Sequence, residues 1–211
     1  MDEIYRQYIS NSVRTRQRVE HILTYKYENS YEMRYLISQS LSELWLSWCR
    51  FCREVLHLSC CGTKLRSGAL VAPRSSDNSI KRIAYEFKEA SKGNSIKPGK
   101  AISHHYQEPT WGDVTNILKA IPVINPSNLS TLSSGWGLPF MAAQHLQTTR
   151  NTIAHLMPDS LPQFRKILVS YSGSRIAHPS EIALWKNPSK NTLVIFSWLE
   201  DLETMASLVT K

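Results

Sequence analysis

Arg150, Asn151 and His155 stand close together in the run Arg150-Asn151-Thr152-Ile153-Ala154-His155. A guanidinium is a permanently charged planar fork that suits phosphate oxygens. An imidazole titrates near neutral pH and can take or give a proton. Together they supply what cleavage of an RNA strand requires. A base takes the proton from the ribose 2′-OH, an acid protonates the departing 5′-oxygen, and a fixed cation meets the charge developing on the phosphate. His155 fits either proton-transfer role and Arg150 fits the cation. Asn151 can orient His155 or the phosphate by hydrogen bonding.

Spacing alone carries little weight, because Arg16 and His21 stand the same distance apart. What separates the two pairs is context. Asn follows Arg150 and a small Ala precedes His155, whereas Gln17 follows Arg16 and Glu20 precedes His21. The plainer alternative for 150–155 is a helix end, with its cations at the negative end of the helix dipole. On an ideal helix, at about 100° per residue, Arg150 and His155 lie about 140° apart, while Asn151 and His155 share a face. One copy therefore splays the pair.

The elements that must position these residues read as helices. Residues 1–28 carry Tyr8, Ile9, Val13, Val19, Ile22 and Leu23 at mostly helical spacing. Residues 31–59 contain no Gly or Pro, and Gly62 is a plausible stop. From 62 to 110 the pattern loosens, with Gly62, Gly68, Pro73, Gly93, Pro98, Gly99 and Pro109 marking turns around one short helix, Ile80 to Ala90. Helical signals return over Asp113–Ile121, where Pro122 breaks the chain, and Ser127 suits a cap for a short helix. Pro139 suits the first turn of the motif helix, which runs to about Met157 before Pro158. Further helices are expected over about 159–171, from Pro179, and over about 192–209, with 167–171 and 192–196 open to an extended reading. The expected class is all-α, an antiparallel helical bundle forming a single domain over 1–211, with 62–110 as an irregular, loop-rich insertion between the early helices and the motif helix.

Composition agrees with that class. The chain has 211 residues, 42% hydrophobic, and no apolar run near the ~20 residues that span a bilayer. Met1-Asp2-Glu3-Ile4 lacks the pattern of a secretory leader. A cytoplasmic protein without membrane association is expected. The net charge of +8 favours a polyanionic partner, nucleic acid above all. Cys49 and Cys52 form a C-x-x-C, but they lie on an apolar helix, and Cys60 and Cys61 are adjacent rather than spaced. Buried structural thiols are the expectation, with no metal.

The extended form Arg-Asn-x-x-Ala-His, late in a helix and in the second half of a basic helical chain, resembles the motif of ribonucleases of the HEPN superfamily. The run Trp45 to Glu54 is similar to the helix that some of its families place beside the motif helix. There an acidic or polar residue often faces the catalytic pair; Glu54 is the first candidate and Glu43 the second. Phe196 to Leu202 is similar to their closing helix. The resemblance implies a metal-independent endoribonuclease that uses no cofactor and leaves a 2′,3′-cyclic phosphate and a 5′-hydroxyl. It implies a toxin or antiviral defence effector whose substrate is RNA. It also implies a homodimer in which two motifs meet in a composite active site, and an antitoxin or defence-system partner protein. The alternatives are a non-catalytic HEPN module that binds RNA or a partner protein, and a helical scaffold matching by accident. One departure stands out: toxins of this family paired with a nucleotidyltransferase usually carry Tyr two residues beyond the His, and Met157 occupies that position here.

Other residues carry weaker signals. Lys81, Arg82, Arg165 and Lys166 are candidates for contacts to an RNA backbone, with Lys92, Lys97 and Lys100 beside them in type. Tyr106, Trp111 and Trp136 have rings that stack on bases or pack in a core. His104-His105 lacks a third ligand and reads as loop.

Overall fold

The structure is a computed structural model, and it describes residues 1–155, 160–171, 176–188 and 191–211. It is all-α, with eight α-helices and two short antiparallel strand pairs among the described residues. The first helix, α1, is Asp2–Thr24, with Asp2 and Glu3 at its positive end. The second, α2, is Ser30–Cys61. Asn29 caps it, its side-chain oxygen accepting from the Tyr31 and Glu32 amides. Gly62 ends it at φ +87, and a Cβ there would meet Pro73 Cδ at 2.9 Å, so no other residue fits without displacement.

After α2, Thr63–Lys64 pairs antiparallel with Leu70–Val71. Then come α3, Ile80–Ser91, and α4, Val114–Ile124. Ser79 and Asp113 cap these two helices, accepting from Arg82 N and Asn116 N. The expected break at Pro122 does not occur: α4 runs through it to Ile124. Pro122 sits in the last turn, which the Asn125 amide closes on Ile121 O at 2.8 Å with Asn125 in the left-handed region. Next is α5, Leu129–Trp136, whose cap position is Asn128 rather than Ser127; the Ser127 hydroxyl donates instead to Ala72 O. The motif helix α6 is Ala142–Ala154, starting three residues beyond Pro139, and α7 is Ser160–Leu168. The expected end of the motif helix at Met157 and Pro158 lies outside the described residues. A 3-10 turn spans Pro179–Leu184, Lys186–Asn187 pairs with Thr192–Leu193, and α8 is Val194–Val209. No helix among the described residues is long and apolar enough to cross a membrane.

The chain divides into two units. The first comprises Met1–Tyr8, Trp48–Pro139 and Thr204–Lys211; the second comprises Ile9–Ser47 and Phe140–Glu203. The first holds 14 of the 25 basic residues and 8 of the 17 acidic ones, a surplus of +6. The second holds 11 and 9, a surplus of +2.

In the first unit α3 packs on α4, burying Ile83, Ala84 and Phe87 with Ile117, Ile121 and Ile124. Trp48 is buried among Tyr8 and Phe51, and its Nε1–H donates to Gly112 O at 3.0 Å. Gly135 lets α5 approach the end of α8, since a Cβ there would meet Val209 Cγ1 at 2.5 Å. The 62–110 stretch is tied down by an ionic knot. Arg74 is 9% exposed and Glu86 5%. Arg74 Nη1 donates to Glu86 Oε2 at 2.6 Å and to Ile124 O at 3.0 Å, and Nε donates to Asn78 Oδ1. The other Glu86 oxygen accepts from Arg82 Nε at 2.6 Å.

In the second unit α6 packs against α7 and the 3-10 turn at 179–184. The core holds Ile37, Leu41 and Leu44 of α2, Ala142, Ala143 and Leu146 of α6, Phe164 and Ile167 of α7, and Ile195, Trp198 and Leu199 of α8. Arg34 is paired with Glu181, whose other oxygen accepts from the amides of Ala177 and His178.

Removing one partner of a buried ion pair strands the other charge. Glu86→Ala is therefore expected to lower stability by about 3–5 kcal/mol in urea denaturation. Arg6→Ala, which breaks an exposed pair with Asp2, is expected to cost less than about 1 kcal/mol in the same measurement.

Candidate active site

Asn151 sits between the other two motif residues and touches both. Its side-chain oxygen accepts from Arg150 Nη1 at 3.2 Å, and its backbone oxygen accepts the His155 amide at 2.8 Å. His155 follows the last residue of α6, with φ −133 and ψ 79, so it has left helical geometry. The angle expected for Arg150 and His155 on an unbroken helix therefore does not set the direction of the imidazole. The His155 side chain is exposed, and its carbonyl accepts from the Ser160 hydroxyl at 2.6 Å, which anchors the turn to the start of α7. Arg150 is half-buried, and its Nε is a buried donor without a partner among the described residues. A guanidinium suits an anion and an exposed imidazole can exchange a proton, and both are carried within six residues at the end of α6. Met157 lies outside the described residues.

Opposite this edge, α6 buries His145, Thr149 and Thr152. Tyr171 Oη lies 2.5 Å from His145 Nδ1 and accepts from Trp198 Nε1 at 3.2 Å. Burial pushes the Tyr171 phenol up to about 12, so it keeps its proton and donates to His145. Burial also lowers the His145 pKa. The imidazole is thus neutral, accepts at Nδ1 and carries its proton on Nε2. This cluster fixes α6 against Tyr171 and α8, and nothing in the reading of 150–155 picked it out. The available signal was the stripe Ala142, His145, Thr149, Thr152, which repeats at helical spacing and places His145 on the inner face.

The other sequence candidates separate. Glu54 belongs to the first unit, the motif to the second, and the Glu54 carboxylate is engaged by Arg53 at 2.9 Å. Glu43, in the second unit, pairs with Arg18. Lys81, Arg165 and Lys166 are exposed. Arg82 is not an open contact: beyond Glu86 it donates to Lys97 O at 2.8 Å and Lys100 O at 2.6 Å. Trp111 and Trp136 are core residues, while Tyr106 is 83% exposed. Arg16 lies over the Phe196 ring and His21 is exposed on α1, so the look-alike pair is split between a ring contact and solvent. Cys52 and Cys60 are buried, and burial raises both thiols, Cys60 to about 12. Among the described residues no group of three or more His, Cys, Asp or Glu is placed to hold a metal ion. A cleft of about 460 Å³ in the second unit, lined by Tyr25, Tyr27, Tyr31 and Tyr35 with Arg18 and His21, was not foreseen from sequence.

Comparison with protein families, with curated proteins and with solved structures found no match to this chain.

Protonation of His145 is disfavoured in the folded chain, so the unfolded chain takes up that proton first. Its contribution to stability is whole above the ordinary value near 6.5 and is lost as pH falls through the lower folded value. The melting temperature should therefore drop as pH falls below about 6.5. His145→Gln should flatten that drop, leaving the contribution of His178, which burial also lowers.

Proposed function

We propose that the chain is a HEPN-type endoribonuclease that cleaves RNA by 2′-OH attack, and that it acts as a toxin or defence effector. The observation that carries this reading is the end of α6, where an exposed His155 and a half-buried Arg150 are tied to one Asn151. In the reaction, Arg150 holds the non-bridging phosphate oxygens with its uncommitted donors. His155 accepts the 2′-OH proton, the 2′-oxygen attacks phosphorus, and the 5′-oxygen leaves once protonated. A second imidazole supplies that proton when two copies of the chain bring their motifs together. That is the homodimer implied by the family resemblance. The products are a 2′,3′-cyclic phosphate and a 5′-hydroxyl. No step calls on a metal or cofactor, which is the expectation for the family. The net charge of +8 supports an RNA substrate.

His155→Ala and Arg150→Ala are each expected to reduce cleavage of total RNA by about 10²-fold or more, with far-ultraviolet circular dichroism unchanged. Full activity in His155→Ala would overturn the assignment. If neither the parent nor the variants cleave RNA while all bind it, the chain is a non-catalytic RNA-binding module instead.

A further inference from the structure

The first unit carries most of the charge surplus, and much of it is clustered. Between residues 81 and 100 stand Lys81, Arg82, Lys88, Lys92, Lys97 and Lys100 against Glu86 and Glu89. Arg82 and Glu86 neutralise each other, and in doing so Arg82 pins the 97–100 loop through two carbonyls. Tyr85 Oη accepts from the Lys97 amide, and Lys81 O accepts from the Ile102 amide. Lys81, Lys97, Lys100 and the chain entering residue 103 are thus fastened into one neighbourhood, with all three lysine residues exposed.

That chain leads into a 3-10 turn, His105–Gln107. Gln107 Oε1 accepts from the amides of Ser103 and His104. His105 Nδ1 lies 2.9 Å from Glu108 Oε1. Glu108 is gripped in turn by Arg53 Nε at 2.9 Å and Trp111 Nε1 at 2.7 Å. The turn is held from inside, and what it presents outward is aromatic. The His104 and Tyr106 rings stack at 5.2 Å between centroids with 9° between planes. Both residues are exposed, and among the described residues no other ring contacts Tyr106.

We infer that the His104–Tyr106 stack and Lys81, Lys97 and Lys100 form a docking platform for an unpaired nucleic-acid strand. A parallel ring pair on a fixed turn offers a flat face on which a base continues the stack. Ammonium groups beside it meet the phosphates, and the charge is complementary to a polyanion. An unpaired strand fits better than a duplex, because bases inside a duplex have both faces covered by their stacked neighbours while unpaired bases can be splayed onto a ring. That the strand is RNA rests on the cleavage reading; that it is unpaired nucleic acid does not.

The test uses the full chain carrying His155→Ala, so that binding is read without cleavage. Fluorescence anisotropy compares end-labelled oligoadenylate RNA, the matching DNA, and blunt duplex RNA. Adding His104→Ala and Tyr106→Ala together should raise Kd for the single-stranded RNA roughly tenfold or more and leave the duplex unchanged. Lys81→Gln, Lys97→Gln and Lys100→Gln together should weaken every ligand and reduce the slope of log K against log salt by about 2. Melting curves matching the parent confirm that the variants are folded. An equal loss on the DNA oligomer supports the platform and removes the RNA assignment. Unchanged single-strand affinity in the ring variant, or equal loss on strand and duplex, overturns the platform. Neither result touches the His155 cleavage test, which stands or falls separately.

Discussion

One buried carboxylate, Glu86, holds together the least regular part of the chain. Two guanidiniums share it, one on each oxygen. Burying a charge costs several kcal/mol, and only a complete set of partners offsets that cost. Arg74 meets the requirement by also reaching Asn78 and the carbonyl at the end of α4, so the 74–78 loop, α3 and α4 are joined at one point. Arg82 extends the join to the 97–100 loop. A stretch rich in Gly and Pro, whose apolar burial lies chiefly in α3, is thereby joined by polar contacts as well. A second carboxylate, Glu108, does the same for the next turn. Burial alone would raise its pKa, but hydrogen bonds from Arg53, His105 and Trp111 outweigh that and hold it down to about 2. It stays ionised throughout the physiological range, so the contacts it organises persist.

The motif is governed by a different economy of contacts. Its inner face is a neutral imidazole, a phenol and an indole in series, which need no counter-charge and keep α6 in register with its neighbours. Its outer edge differs: Arg150 Nε is buried with no partner among the described residues, and the His155 backbone has stepped off the helix. A donor left unpaired in the interior costs free energy.

Much of this was legible in the sequence, for reasons that can be named. The apolar spacing of α1, α2 and α8 located those helices, because each buries a continuous stripe over many turns. Gly62 ended α2 as expected, since its position demands a positive φ. The short helix near Ile80 was readable from Ile83, Ala84 and Phe87. Pro122 misled because its effect in the last turn is absorbed by the Asn125 cap, a contact that local pattern does not reveal. The difference between Lys81 and Arg82 was invisible too: one side chain faces solvent and the other is consumed by Glu86 and two distant carbonyls. The same holds for the candidate site. Arg150, Asn151 and His155 could be picked out by type and order, whereas His145, Tyr171 and Glu108 acquire meaning only through partners far along the chain.

The 3-10 turn at His105–Gln107 has a thermodynamic consequence for any ligand that uses it. Its backbone is already fixed by Gln107 and Glu108 before anything arrives. No loop has to be ordered on association, so the entropic penalty that usually erodes affinity at flexible surfaces is largely absent. Encounter would then be set by electrostatic attraction to the lysines and lifetime by the quality of the stack. Salt would act mainly on the rate of arrival, and the identity of the stacking base on the rate of departure.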